Sequence, residues 1–109
     1  MNRNTGTVLW VYMTAATRAE ARRIAKKLVD ERLAACVNIL GPIESVYSWK
    51  GKVCAGREVA LVAKTAVSRK TALIRAVRTL HSYECPCIVC LPIDGGNPDF
   101  LRWIRESVR

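Results

Sequence analysis

The chain carries one histidine and one phenylalanine in 109 residues, with four prolines and six glycines. A single histidine, His81, would have to serve any catalytic triad. No G-x-S-x-G elbow accompanies it. No G-x-x-x-x-G-K-[ST] phosphate loop occurs either. Acidic residues number 9 against 18 basic ones. Paired carboxylates are therefore scarce: Asp30-Glu31 ends a predicted helix, and Asp94 and Asp99 flank a loop. These absences argue against an enzyme. No apolar run approaches the roughly 20 residues of a membrane-spanning helix. Met1 to Thr7 is polar and lacks the apolar centre of a secretory signal, so a cytoplasmic protein is expected. Low-complexity stretches and linkers are missing too, and one domain over residues 1–109 follows.

The formal charge is +9. It favours weak attraction to anions without naming one. The basic residues are dispersed: Arg18, Arg22, Arg23, Lys26 and Lys27, then Arg69, Lys70, Arg75 and Arg78. All lie in predicted helices, where a solvated face accounts for them. The five cysteines are odd in number, which disfavours a disulfide framework and leaves metal binding or burial.

Residues 7–14 are β-branched and aromatic and predict a first strand. Thr17-Arg-Ala-Glu20 is a capping box, followed by Ala21, Ile24, Ala25 and Leu28 at helical spacing. This predicts a helix over about 18–31. Residues 34–49 predict a second strand with a bend at Gly41-Pro42. Lys50-Gly51 is a hairpin turn signal. Residues 57–65 continue a third strand, apolar on both faces from Val59 to Ala63. Ser68 is a candidate cap for a second helix with Leu73, Val77 and Leu80 as its stripe. Residues 87–93 predict a fourth strand. Asn97-Pro98 opens a third helix carrying Leu101, Ile104 and Val108.

The order β-α-β-β-α-β defines an α+β, ferredoxin-like sandwich with an extra C-terminal helix. Its sheet should be antiparallel, with two helices on one face. Trp10, Tyr12, Tyr47 and Trp49 lie on strands too apolar for an open second face, and a partner subunit is the simplest cover.

Two constellations could carry chemistry. Cys85-Pro-Cys87-Ile-Val-Cys90 offers C-x-C and C-x-x-C spacing. On an extended strand, however, Cys85 and Cys87 point opposite to Cys90, and no second ligand pair exists. His81-Ser-Tyr83-Glu84-Cys85-Pro86 places imidazole, carboxylate and thiol within five residues. That suits a helix cap or a surface metal site. The third strand lacks the stacking aromatics of an RNA-recognition domain, which argues against nucleic acid as a partner. The cysteine pair of a copper chaperone is absent after strand one, where Met13-Thr-Ala-Ala-Thr17 stands.

Six blocks, taken together, resemble one family. They are Leu33-Ala-Ala-Cys36-Val-Asn38, Ser45-Val-Tyr-Ser-Trp49-Lys-Gly51-Lys52, Lys64-Thr65, His81-Ser-Tyr83-Glu84-Cys-Pro86, Leu91-Pro-Ile93 and Gly96-Asn97-Pro98-Asp-Phe-Leu-Arg-Trp103. In order and spacing they are similar to the CutA-type divalent-cation tolerance family, from about Val8 to Arg109. The resemblance implies a homotrimer with PII-like assembly, built through the long second and third strands. It implies a link to tolerance of copper or another divalent cation, without catalysis. The family's copper ligands, a Cys and two consecutive His, fall on Met13, Leu80 and His81. Leu80 cannot ligate, and Met13 offers only a thioether. Cys36 completes the candidate metal residues. The family pocket between subunits corresponds to Trp49, Lys64, Tyr83 and Glu84, which could take a small anion. The alternative function is a PII-like regulatory module that binds an anionic metabolite at that interface.

Overall fold

The computed structural model describes residues 6–109. The polar start of the chain, residues 1–5, lies outside the described residues. The elements are β1 (Val8–Ala15), α1 (Arg18–Asp30), β2 (Cys36–Trp49), β3 (Lys52–Ala66), a 3-10 turn (Val67–Arg69), α2 (Lys70–Leu80), β4 (Ile88–Pro92) and α3 (Pro98–Ser107). They form one antiparallel sheet in the order β2-β3-β1-β4. This is the ferredoxin-like α+β arrangement read from the element order.

Side-chain alternation divides the sheet into two faces. Leu9, Val11, Met13 and Ala15 of β1, with Val59, Leu61 and Ala63 of β3, pack under α1 and α2. Ile24, Leu28, Leu73 and Val77 close that core from the helices, all fully buried. The opposite face carries Val8, Trp10, Tyr12 and Thr14, opposite Ala66, Lys64, Val62 and Ala60. α3 covers only one end of it, through Ile104 and Val108 against Val8, Ala35 and Ala66. Beyond that end, Trp10 and Tyr12 stack at 6.2 Å, beside exposed Val89 and Leu91.

Local chemistry explains the irregular points. The bend in β2 is a bulge between Ile39 and Gly41, with Leu40 as the extra residue. Gly41 takes φ +100, a backbone region that favours glycine. At the hairpin tip both Lys50 (φ 50) and Gly51 (φ 79) are left-handed, as a type I′ turn requires. A turn of that hand keeps the twist of two long strands. Beyond the bulge the hairpin leaves the body of the protein, which is why the long axis reaches 46 Å against 26 and 24 Å. The radius of gyration is 14.6 Å, against about 13 Å for a compact chain of this size.

One expected cap is different. Ser68 lies inside the 3-10 turn, and α2 begins at Lys70 with Arg69 as a cap that makes no side-chain hydrogen bond. The tight turn forms the entry in its place. Arg69 is used elsewhere: its Nε donates to Val108 O at 2.7 Å and ties the C-terminus to the start of α2.

Leu28 and Val29 are neighbours on α1 with 0 % and 43 % exposure. Leu28→Ala should cost about 2–5 kcal/mol of unfolding free energy. Val29→Ala should stay within about 0.5 kcal/mol of wild type. Urea unfolding followed by circular dichroism checks the pair, and equal losses would contradict this core.

Candidate functional site

The loop from α2 to β4 wraps over the sheet end where β1 stops and β3 becomes part of the hairpin. Its anchor is Glu20, in the first turn of α1. Thr17 Oγ1 accepts from Glu20 N at 3.1 Å, so half of the capping box is made as expected. The other half reaches one residue further back: Ala16 N donates to Glu20 Oε1 at 2.9 Å. The second carboxylate oxygen, Oε2, accepts from Ser82 N at 2.8 Å. One buried side chain therefore joins the helix start to the loop. Burial alone would raise the Glu20 pKa. The hydrogen bonds from Ala16 and Ser82 outweigh burial and hold it below 4.5.

His81 has no exposed side-chain surface. Its Nε2 lies 2.7 Å from Thr14 O, a carbonyl that can only accept, so Nε2 carries a hydrogen. Its Nδ1 lies 3.1 Å from Tyr83 N, a donor, so Nδ1 is the lone-pair nitrogen. Glu20 Oε1, 3.9 Å from that Nδ1, is too far for a hydrogen bond. Both ring nitrogens are committed to the backbone.

Tyr83 extends to the open face of the sheet. Its hydroxyl donates to Glu58 Oε1 at 3.0 Å. Burial again raises the Glu58 pKa, but hydrogen bonds from Ser45, Tyr83 and Thr14 bring the net value below 4.5. Burial, and then the bond to this carboxylate, push the Tyr83 phenol well upward. The pair is thus a fixed phenol donor on a fixed carboxylate acceptor. Burial also raises the thiol pKa values of Cys87 and Cys90, with the Glu58 charge adding to the shift at Cys87. Both shifts disfavour the thiolate that a metal ligand must become.

The candidate metal residues do not meet within one chain. Met13 is fully buried on the helix face, opposite Leu61. Cys36 is half-buried opposite Lys64, on the other face. Three residues of strand, about 10 Å, separate those register positions. His81 would have to give up Thr14 or Tyr83 to ligate. Among the described residues, no three His, Cys, Asp or Glu side chains are grouped to hold a metal ion.

The candidate pocket residues divide in two. Lys50 Nζ lies 3.6 Å from Glu84 Oε2 and 5.6 Å from the centre of the Trp49 ring, so the hairpin tip meets the loop. Lys64 lies six positions along β3 from Glu58, about 20 Å away, where its ammonium bonds Asn38 Oδ1. One chain does not bring Lys64 to Tyr83. It does bring Tyr83 and Glu84 to a groove of about 530 Å³ against α2. Its other lining residues are Thr71, Ile74, Arg75, Arg78, Thr79 and Pro86. Sequence reading missed this groove because its arginines look like any solvated helix face. It also missed Glu58, although an acidic residue next to an apolar strand run was a visible signal.

The sequence profile of the CutA1 divalent ion tolerance protein family matches residues 9–107. The divalent-cation tolerance protein CutA of Archaeoglobus fulgidus is 48% identical over 100 residues, covering 91% of this chain and 96% of the relative. Its solved structure, described as periplasmic, has a TM-score of 0.90 with 43% identity, covering 94% of this chain and 99% of the other. The solved divalent cation tolerance protein of Thermus thermophilus has a TM-score of 0.91 at 43% identity, with 94% and 99% coverage.

Glu20 and Glu58 are both depressed in the folded chain, so each contributes stability that is complete above its unfolded value. That contribution disappears as pH falls through the lower folded value. Acid should therefore destabilise the protein between about pH 5 and pH 2. Glu20→Gln should flatten this dependence and cost about 1–3 kcal/mol at neutral pH, because Ala16 N or Ser82 N loses its charged acceptor. Urea midpoints measured across that range test it. An unchanged slope in the variant would contradict the assigned role.

Proposed function

The chain belongs to the CutA1 divalent ion tolerance family, and on that premise we propose that it works as a cytoplasmic homotrimer that binds copper or another divalent cation without catalytic turnover. The open face of the sheet carries this reading. Trp10, Tyr12, Val89 and Leu91 form an apolar strip that α3 leaves uncovered. At the opposite edge of the sheet, β2 is a 14-residue strand whose outer backbone groups have no ladder partner among the described residues. The projecting hairpin adds Tyr47 and Trp49 to the same face by register. Further copies of the chain satisfy all three demands: they cover the strip, pair the edge and receive the hairpin.

The side chains of the loop support a binding role over turnover. His81 is spent on backbone partners, Glu58 and Tyr83 on each other, and burial disfavours the thiolates of Cys87 and Cys90. In this reading His81 exchanges one of its backbone partners for the ion, while Trp49, Lys64, Tyr83 and Glu84, drawn from more than one copy, form a separate pocket where subunits meet. The second reading is a PII-like module that binds an anionic metabolite at that interface. The net charge of +9 favours it.

Sedimentation equilibrium should return three times the mass of 12.1 kDa, and a stable monomer would refute the assembly. Copper(II) titration of the assembled protein separates the ligands. Saturable binding lost in His81→Ala supports the metal reading. Metal-independent binding of small carboxylates or nucleotides lost in Lys64→Ala supports the second. Cell fractionation that returns the protein outside the cytoplasm would overturn the compartment.

A further inference from the structure

We propose that the groove along α2 is a phosphate site, complete within a single subunit, for a small molecule that carries a phosphate monoester. Arg75 and Arg78 stand one helical turn apart on its wall. Among the described residues neither guanidinium has an ion pair or a side-chain hydrogen bond. Other polar groups of the wall are already engaged. Thr79 donates its hydroxyl to Arg75 O at 3.0 Å. Tyr83 donates to Glu58. Glu84, the one acid in the groove, is turned toward Lys50.

Two like charges at an i,i+3 spacing repel, and an anion between them removes that cost. Guanidinium forks match phosphate oxygens in pairs. Thr71, one turn before Arg75, lines the same wall and supplies a hydroxyl. Ile74 and Pro86 give the groove an apolar lining, suited to the flat body of a ligand rather than to a bare ion. The volume of about 530 Å³ falls within the roughly 300–1,000 Å³ of small-molecule sites. The lining residues come from α2 and the loop that follows it, so the site needs no bound metal.

The test uses the full chain in its native assembly, at low salt, with calorimetry. Adenosine monophosphate should bind saturably, one per chain, and inorganic phosphate should compete with it. Adenosine should bind at least about tenfold more weakly. The Arg75→Gln/Arg78→Gln variant should lose affinity at least about tenfold, while its copper binding and sedimentation stay those of wild type. Arg22→Gln/Arg23→Gln on α1 removes equal charge outside the groove and should leave affinity within about twofold. The proposal is overturned if adenosine binds as well as its monophosphate. It is also overturned if the two double variants lose affinity equally, which would reduce the effect to net charge, or if no saturable binding occurs.

Discussion

The Glu20 carboxylate is the junction on which the loop geometry depends. A buried carboxylate costs several kcal/mol unless hydrogen bonds compensate it. Here backbone donors from Ala16 and Ser82 do so, and the N-terminus of α1 adds a favourable dipole. The carboxylate that completes the helix cap through Oε1 also fixes the first residue after His81 through Oε2. Once Ser82 is held, His81 falls under Thr14 and Tyr83 reaches Glu58.

This arrangement also sets the chemistry of the loop. An imidazole, a carboxylate and a thiol within five residues, His81 to Cys85, suit a surface metal site when read along the chain. Folded, the imidazole points inward with both nitrogens bonded, and burial disfavours the thiolates of Cys87 and Cys90. The loop is built to hold a shape. Its exposed residues are Ser82, Glu84 and Cys85, and Glu84 has Lys50 on one side and the arginine groove on the other.

The second constraint is the sheet itself. Covering a four-stranded sheet on both faces needs more apolar helix surface than this chain supplies. α1 and α2 cover one face, and α3 covers one end of the other. The long hairpin, stiffened by its I′ turn and bent at the Gly41 bulge, extends the uncovered face away from the body. The apolar face, the edge strand and the projecting arm are the three surfaces on which the proposed assembly rests.

Much of this was legible in the chain. The period-two and helical patterns gave the element order, the Gly41-Pro42 bend and the Lys50-Gly51 turn, because these follow from local sterics and hydrophobic spacing. The six blocks gave the family. Ser68 as a cap did not hold, since the backbone tightened into a 3-10 turn instead. The role of Glu20 as a bridge, the inward face of His81 and the split of Met13 and Cys36 across the sheet depend on contacts between residues far apart in sequence. Glu20 meets Ser82 across 62 positions, a distance no local pattern encodes. The sequence alone therefore determined which elements form and in what order. Only the tertiary structure decided which polar groups are spent on holding the loop and which remain free to bind.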